Sequence, residues 1–514
     1  MISQHLLSYL IFTPVVAALV LLALPNSFKD YYKWIALGVS GVQVLLLFIV
    51  FSSYNPGEFE GFHLLEEITW IDLNGLKVEY LVGIDGISLP LVALSVIVLL
   101  IAVISSWNVS DRPKGYFTLL LILNGAVIGS FCALDLLLFY LFFEFMLLPM
   151  YFLIGIWGGP RREYASIKFF LYTLLGSLLI LLVIIGVYMS SYNGTFDLLE
   201  LLSGEGNLAN SVFDRVTPRM ILGWPARNWA FLFLLIGFGI KLPMVPLHTW
   251  LPDAHVEAST PISVVLAALL LKVGAYGLFR VGYWLFPAEA ASMSTLVAFL
   301  GMLSIVYGAM NALASKDFKR MIAYSSVSHM GFVLLGLASF TVEGLAGAMF
   351  QMTSHGIISA MLFLIAGVLY DRTGDRTIAN YSGLASKMPV YTSFVLVGFF
   401  AALGLPGLSG FIGEIMVFLG AFRSDYIPGW IAVLSTAGLI FGAGYCLWTI
   451  QRMFFGPYAV RSEGLMQDLS MREKIMLLPL AILILLLGIF PQLLLQYINP
   501  ATNLMVKIFG DHLN

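Results

Sequence analysis

Four ionisable residues lie in stretches that are otherwise apolar: Glu144, Lys241, Lys272 and Glu414. An ionisable side chain near the centre of a bilayer costs about 2.5–3.5 kcal/mol on insertion scales, so four unpaired ones would cost roughly 10–14 kcal/mol. That sum is comparable to the stability of a whole domain. We therefore expect these side chains to pair or to face water. Such residues are typical of an ion or proton pathway, and the alternative is a set of buried pairs that fix helix register.

Lys241 stands at a predicted break in a helix. It opens the segment KLPMVPLHTWLPDAH, in which Pro243 and Pro246 remove backbone donors. Backbone groups freed within a membrane must line a cavity or be buried by protein, and transporters place ion sites at such breaks. His248 adds a titratable group at the same place. Glu144 lies in the apolar run LLLFYLFFEFMLLPMYF, where the position of a nearby ammonium group would decide whether its carboxyl group holds a proton.

A second break is predicted before Glu414, in the segment ALGLPGLSGFIGEIMVFLG. Pro406 and three neighbouring glycines interrupt a helix there. Lys272, in VVLAALLLKVGAYGLF, lies too far from either end of its span to reach the interface. The two interrupted spans are the seventh and the twelfth in our count. Because they are five spans apart, they predict two five-helix repeats of opposite orientation in the membrane.

Two histidines extend the set of titratable groups. His329 lies in KRMIAYSSVSHMGFVLLG and His355 in FQMTSHGIISAMLF. Histidine titrates near neutral pH and can relay protons, although a membrane histidine can also serve only as a hydrogen-bonded packing residue. The hydroxyl groups close to them in sequence are Ser325, Ser326, Ser328, Thr353 and Ser354. Together these groups predict a hydrated polar thread through the bundle.

Other charged residues stand at the ends of spans. Lys168, at the start of the sixth span, is either a modulator of the charges around Lys241 or an interfacial anchor. Asp253, His255 and Glu257 follow the first break. They are metal ligands by type, but two carboxylates and one imidazole on one short segment favour a proton entrance or a capping role. We predict no metal site.

Composition indicates that these groups lie inside a membrane. The chain has 514 residues, of which 60% are hydrophobic and 11% are charged, whereas about a quarter of an ordinary soluble chain is charged. Fourteen stretches approach the roughly 20 apolar residues that a spanning helix needs. They are residues 6–24, 34–54, 84–106, 115–132, 134–156, 165–190, 228–250, 261–283, 294–312, 319–339, 344–369, 390–421, 429–451 and 475–496. We therefore predict an all-α polytopic membrane protein with about fourteen transmembrane helices, of which helices 7 and 12 are discontinuous.

Loop composition orients the bundle. Most Lys and Arg residues fall in one alternating set of loops, and such loops face the cytoplasm. Both termini are therefore expected on the outer side. Residues 55–83 form a long outer loop, in which EITWIDLNGLKVEYLV alternates around Asn74-Gly75 and predicts a β-hairpin. We divide the chain into residues 1–110 (helices 1–3), 111–285 (helices 4–8, the first repeat), 286–455 (helices 9–13, the second repeat) and 456–514 (helix 14).

The sequence excludes several other functions. It has no GxGxxG after a strand, no P-loop, no CxxC and no nucleophile elbow. The two cysteines, Cys132 and Cys446, are too few for an iron–sulfur cluster with four Cys ligands. A net charge of -3 gives no reason to expect nucleic acid as a partner. We therefore expect no cofactor in this chain.

Three segments carry a resemblance to a known family. KLPMVPLHTWLPDAHVEASTPISVVLAALLLKVGAYGL, KRMIAYSSVSHMGFVLLG and GLPGLSGFIGEIMVFLGAF resemble the antiporter-like membrane subunits of respiratory complex I. The resemblance covers essentially the whole chain. It implies a proton-translocating subunit of NADH:quinone oxidoreductase in a bacterial inner membrane, where the outer side is the periplasm. It also implies membrane-arm neighbours of the chain L and chain N types, with FMN and iron–sulfur clusters in other subunits that transfer electrons from NADH to quinone.

The resemblance also assigns roles to residues. Glu144 matches the essential carboxylate of span five, and Lys241 matches its partner in broken span seven. Lys272 matches the central lysine of span eight, and Glu414 matches the terminal carboxylate. The histidines of the central axis are matched by His329 and His355. The expected mechanism is electrostatic: opening a Glu144–Lys241 pair releases a proton towards Lys272 and then Glu414.

Two alternatives remain at this stage. An Mrp-type cation/proton antiporter subunit would use an ion gradient without electron transfer, but those subunits have a lysine where this chain has Glu414. A purely structural scaffold would leave the four intramembrane charges without a function.

Overall fold

The chain forms a bundle of helices with small antiparallel strand pairs in its loops. The computed structural model describes residues 5–55, 61–73, 76–191, 194–203, 208, 211–214, 219–460 and 466–513. Within these ranges, 11 helices are long and apolar enough to cross a membrane, or 12 if the bent pair Met471–Ile489 and Gln492–Gly510 counts as one span. The chain is therefore a mostly helical, multi-span membrane protein, as its composition predicts.

The first half of the chain supplies eleven of the helices discussed below. They are α1 (Leu6–Ala23), α2 (Tyr32–Ser53), α3 (Ser88–Ser105), α4 (Pro113–Cys132), α5 (Leu136–Phe145), α6 (Leu147–Trp157), α7 (Arg162–Ser190), α8 (Leu198–Ser203), α9 (Ala226–Lys241), α10 (Trp250–Glu257) and α11 (Thr260–Tyr283).

The second half supplies nine more. They are α12 (Pro287–Ser292), α13 (Ser294–Ala314), α14 (Phe318–Ala338), α15 (Val342–Thr373), α16 (Pro389–Ala402), α17 (Ser409–Arg423), α18 (Gly429–Phe454), α19 (Met471–Ile489) and α20 (Gln492–Leu513). Short 3₁₀ turns cover Asn26–Phe28, Ile378–Asn380 and Leu384–Ser386.

The predicted hairpin is confirmed. Strand β1 (His63–Leu73) pairs antiparallel with β2 (Leu76–Ile84), and its expected turn at Asn74-Gly75 lies outside the described residues. The buried carboxylate of Glu66 accepts a hydrogen bond from the backbone N–H of Leu7 at 2.7 Å. An anion is favourable at a helix N-terminus, so this contact holds the hairpin on the start of α1. The shorter pairs are β3 (Met220–Ile221) with β4 (Trp224–Pro225), and β5 (Tyr381–Ser382) with β6 (Ala459–Val460).

Three helices form the centre of the bundle. The most apolar windows of α11 and α15 are 100% buried and that of α14 is 94% buried, whereas those of α2 and α18 are 28% and 33% buried. The outer helices expose Leu, Ile and Phe side chains, which suits contact with lipid. The central helices carry Lys272, His329 and His355, so the polar groups lie where protein surrounds them.

Both predicted breaks are present. Helix α9 ends at Lys241 and α10 begins at Trp250, so residues 242–249 with their two prolines connect the helices. Helix α16 ends at Ala402 and α17 begins at Ser409. Each break exposes backbone groups inside the bundle, and an ionisable residue lies close to each one.

The predicted span 134–156 is present as one candidate span, Leu136–Trp157. Its α-helical turns are interrupted locally at Met146, because Pro149 has no N–H for the carbonyl group of Phe145. One span does depart from the prediction. The last predicted span, 475–496, ends early: α19 stops at Ile489, and the chain turns by 65° into α20 just beyond Pro491. The interruption at Met146 lies two residues after Glu144, so it affects the backbone close to the carboxylate.

Candidate functional site

Lys272 lies in the middle of α11, between two segments with wider turns than an α-helix. Leu266–Leu270 and Leu278–Tyr283 are π-helical, a conformation that is frequent at functional sites. The Lys272 side chain is fully buried, and its Nζ donates to the carbonyl oxygen of Ala267 at 2.8 Å. The wide turn therefore supplies an acceptor that keeps the amine inside the bundle.

The second partner of Lys272 is His355 on α15. The distance between Lys272 Nζ and His355 Nδ1 is 2.7 Å. When the lysine is protonated, Nδ1 must accept, so the ring proton lies on Nε2. The ring centroid of His355 is 5.2 Å from that of His329 on α14, and both imidazoles are buried. Three titratable groups thus follow one another across the three central helices.

Glu414 on α17 lies at the far end of this series. His329 Nε2 is 3.6 Å from Glu414 Oε1 and 3.0 Å from the carbonyl oxygen of Ala402, which ends α16. Gly404, in the break, has a φ of +76°, and an added Cβ would collide with Glu414 Oε2. Glycine is thus required both by the backbone and by the carboxylate beside it. We call the series Lys272, His355, His329 and Glu414 the buried row.

Lys241 and Glu144 form a separate cluster. Lys241 Nζ donates to the carbonyl oxygen of Phe143 at 3.0 Å and lies 3.4 Å from the centroid of the Phe143 ring. The ring face attracts the cation. The next residue, Glu144, is half-buried, and its Oε2 has no hydrogen-bond partner among the described residues. The lysine therefore binds the backbone beside Glu144, and the ion pairs found among the described residues do not join the two charges.

A close helix contact brings this cluster to the buried row. A Cβ on Gly274 of α11 would lie 2.7 Å from the backbone nitrogen of Leu242 and 3.0 Å from the carbonyl carbon of Lys241. Only glycine permits this approach. Because Gly274 is two residues from Lys272, the helix that carries the second lysine packs directly on the break that carries the first.

The two auxiliary residues lie outside the buried row. Lys168 Nζ pairs with Asp253 Oδ2 at 2.8 Å, and Asp253 also binds Arg320 at 2.8 Å. This pairing links α7 and α14 to the second half of the broken span. The His248 ring packs edge-on against Tyr307 at 5.2 Å, and its buried Nδ1 has no hydrogen-bond partner within the described part of the chain.

In the charged segment after the first break, both carboxylates form ion pairs. Besides Asp253, Glu257 pairs with Arg161 at 3.6 Å between Nε and Oε1. The described residues contain no group of three or more His, Cys, Asp and Glu side chains placed to hold a metal ion. His255 stacks on Phe363 at 4.4 Å between ring centroids, and both of its ring nitrogens are buried without hydrogen-bond partners among the described residues.

Sequence reasoning missed several buried cations. They stand near the ends of spans, and their positive charges were used only to predict which loops face the cytoplasm. Arg227 pairs with Glu289 at 2.7 Å and is 4% exposed. Lys319 is also buried and donates to the carbonyl oxygen of Ala258. Arg280 pairs with Asp85 at 2.7 Å. Arg280 lies eight residues after Lys272 and therefore on the same helix face. This spacing could have indicated that Arg280 is buried too.

The arrangement is suited to moving charge rather than to making bonds. An ammonium group, two imidazoles and a carboxylate lie in sequence, and each can hold or release a proton. The hydrogen bond between Lys272 and His355 is direct, while the 5.2 Å between the histidine rings can be bridged by ring rotation or one water molecule.

Comparisons with known proteins identify the family. The family model for "NADH:quinone oxidoreductase/Mrp antiporter, TM" matches residues 133–440. The chain is 41% identical to NADH-quinone oxidoreductase subunit M of Rhodobacter capsulatus, over 98% of this chain and 97% of that protein.

Two solved structures contain chains with a similar fold. A chain in respiratory complex I from Thermus thermophilus with bound NADH is similar with a TM-score of 0.84 and 32% identity, over 98% of this chain and 100% of that one. A chain of the Mrp complex from Dietzia sp. DQ12-45-1b reaches a TM-score of 0.80 over 100% of both chains, at 20% identity. The latter likeness concerns the fold alone.

Proposed function

The chain belongs to the family of NADH-quinone oxidoreductase subunit M, the proton-translocating, antiporter-like membrane subunits of complex I, and we propose that the buried row carries its protons. The observation that supports this proposal is the continuity from Lys272 to Glu414. The two end residues belong to different helices, yet each neighbouring pair in the row is in hydrogen-bond, ion-pair or ring contact.

The Glu144–Lys241 cluster controls loading of the row. At about 4 Å and an effective dielectric constant of ~20, an ion pair between the two side chains would be worth roughly 4 kcal/mol. A closed pair holds the lysine charged. When Lys241 instead binds the Phe143 carbonyl group, as here, that stabilisation is weaker and its proton can pass towards Lys272. A charge on a neighbouring subunit would trigger the opening.

Protons enter at the end of the bundle opposite the hairpin. A cavity of about 210 Å³ lies there, lined by groups that include Glu257, Lys319 and Asp371. His255, two residues before Glu257 on the same short helix, has two ring nitrogens without hydrogen-bond partners among the described residues, so both can bind incoming water. The cavity and the imidazole support an entrance rather than a merely capping role for this segment.

The membrane topology follows from the breaks. If the pairs α9–α10 and α16–α17 each cross once, they raise the 12 candidate spans to fourteen, with the broken spans seventh and twelfth. Residues 111–285 and 286–455 are then two inverted five-helix repeats. Both termini lie on the periplasmic side of a bacterial inner membrane.

Neighbouring subunits complete the enzyme. This chain is part of complex I, and in our proposal it lies between chain L-type and chain N-type neighbours. FMN and iron–sulfur clusters in other subunits transfer electrons from NADH to quinone, and this chain carries only protons. The Mrp-type alternative has weaker support, because the likeness to an Mrp chain has 20% identity whereas that to a subunit M has 41%.

The experiment that tests the proposal is Glu144→Gln in the assembled complex. We expect NADH-driven proton pumping and the coupled electron transfer to fall by about 100-fold, the scale of losing one proton-transfer group, while the complex still assembles. Glu163→Gln, an exposed acid in the first turn of α7, is the control and should pump normally. Pumping at the wild-type stoichiometry in Glu144→Gln would show that the assigned role is wrong.

A further inference from the structure

Arg280 lies on α11 two helical turns beyond Lys272, towards the end of the bundle that carries the β1–β2 hairpin; we call this the hairpin end. We propose that Arg280 is a positioned electrostatic barrier that prevents protons on Lys272 from leaving towards the hairpin end and so keeps them in the buried row. This inference rests on the proposed role of Lys272.

Arg280 is held rigidly. Its side chain is 1% exposed, and Nη2 donates to Asp85 Oδ2 at 2.7 Å. The guanidinium carbon also lies 4.9 Å from the Phe62 ring centroid, 5.2 Å from that of Tyr276 and 4.4 Å from that of Trp284. Such contacts favour a permanent cation. The positive charge is thus fixed in place by one carboxylate and three rings.

One face of α11 carries polar groups from Lys272 to this charge. Lys272, Tyr276 and Arg280 are spaced by four residues and share one face of α11. The Tyr276 hydroxyl group donates to the carbonyl oxygen of Phe131 at 3.0 Å and accepts from Arg280 Nε at 3.1 Å. A hydroxyl group can relay a proton, so this face offers a route that competes with His355.

Beyond Arg280, the groups that contact it border a cavity. A partly open cavity of about 190 Å³ lies beyond the arginine, and Asp85, Phe62 and Trp284 both line it and contact Arg280. Helix α20 forms another part of its wall. Arg280 therefore lies between Tyr276, which it contacts through Nε, and Asp85 at the cavity wall.

A guanidinium group blocks such a route for two reasons. It does not release its proton in proteins, so it cannot act as a relay, unlike lysine or histidine. Its fixed positive charge also repels an approaching proton, and an arginine in a narrow pore excludes protons in the same way. Asp85 offsets the cost of burial but lies beyond the guanidinium group, beside the cavity, so it does not attract protons from the Lys272 side.

The competing explanation is that the Arg280–Asp85 pair only fastens the hairpin. Asp85 follows β2 directly and also accepts hydrogen bonds from the backbone N–H groups of Ile87 and Ser88, which start α3. A fastening role predicts that removing either partner has the same effect. A barrier role predicts that only loss of the guanidinium group opens a leak.

The test uses the complete complex in liposomes with a pH-sensitive dye inside. Passive proton entry is driven by a potassium gradient with valinomycin, and NADH-driven pumping is measured beside NADH:quinone turnover. The variants are Arg280→Gln with Asp85→Asn, Asp85→Asn alone and Arg280→Lys. The matched control is Arg227→Gln with Glu289→Gln, which neutralises another buried pair that does not share a helix face with Lys272.

We expect the Arg280→Gln/Asp85→Asn complex to keep its electron transfer, to leak about tenfold faster or more, and to pump fewer protons per electron. Asp85→Asn alone and the control pair should remain tight, whereas Arg280→Lys should leak, because lysine can release its proton. An assembled, active Arg280→Gln/Asp85→Asn complex with wild-type leak would overturn the proposal. If that complex does not assemble, an Arg280→Lys complex with wild-type leak would overturn it, since lysine can relay the proton that the guanidinium group cannot release. Lys272→Ala with normal pumping would instead refute the function on which the inference rests.

Discussion

The hydrogen bond between Lys272 and His355 offsets part of the free-energy cost of burying the lysine's charge. The lysine has no carboxylate partner among the described residues, and it binds only the Ala267 carbonyl group and an imidazole. Both acceptors are neutral, so the ammonium group is stabilised only in part. A charge held this weakly is easily given up, which suits a proton carrier and would be a poor choice for a structural pair.

Lys272→Ala should therefore abolish proton pumping and reduce coupled turnover by about 100-fold, without loss of assembly, because the substitution removes a charge rather than a packing group. The measurement is NADH-driven acidification of liposomes that contain the purified complex. Lys316→Ala, an exposed lysine between α13 and α14, is the matched control. A fully coupled Lys272→Ala complex would favour the structural role of this lysine.

At this scale, the sequence predicted the residues whose context is unusual. Glu144, Lys272 and Glu414 stand out because apolar residues surround them, and that context carries an energetic penalty. Arg280 did not stand out, since an arginine near the end of a span is expected to reach the interface. Only the three-dimensional contact with Asp85, 195 residues away in sequence, reveals that it is buried.

At the scale of the elements, the breaks position the chemistry. Proline predicts where a helix ends, and both expected interruptions occur. The bend after Ile489, at Pro491, was not expected, because one proline inside a long apolar run leaves the hydrophobic pattern unchanged. The π-helical turns beside Lys272 have no pattern in the sequence, since they depend on the packing of α11 against its neighbours.

Two glycines in the second break allow a direct test of whether pumping needs the space beside Glu414. Gly404→Ala would strain a residue with φ +76° by about 1–2 kcal/mol and would also push a methyl group against the Glu414 carboxylate. We expect pumping to fall several-fold. Gly407→Ala has φ +90° but meets nothing within 4 Å, so it imposes similar strain without touching Glu414. Equal pumping in the two variants, measured on assembled complexes, would show that the space beside Glu414 is not needed.

At the scale of the whole molecule, the number of crossings depends on the broken helices. Neither α16 nor α17 is long enough to be counted as a span by itself. If the pair crosses the membrane, the loops before and after it lie on opposite sides; if it re-enters, they lie on the same side. The basic residues predict that the loop after α17 faces outward, together with both termini.

Single cysteines on either side of this pair decide the question. Cys132 and Cys446 are fully buried, so an introduced thiol is the reactive one in this chain. We expect a membrane-impermeant maleimide to label Asp425→Cys in intact spheroplasts, and to label Ser386→Cys only after the membrane is opened. Both positions are exposed in the structure, so this chain itself does not block access to either thiol. Labelling of both from outside would make the pair a re-entrant loop and would remove the inverted repeat, because the second five-helix unit would then lose its fourth crossing.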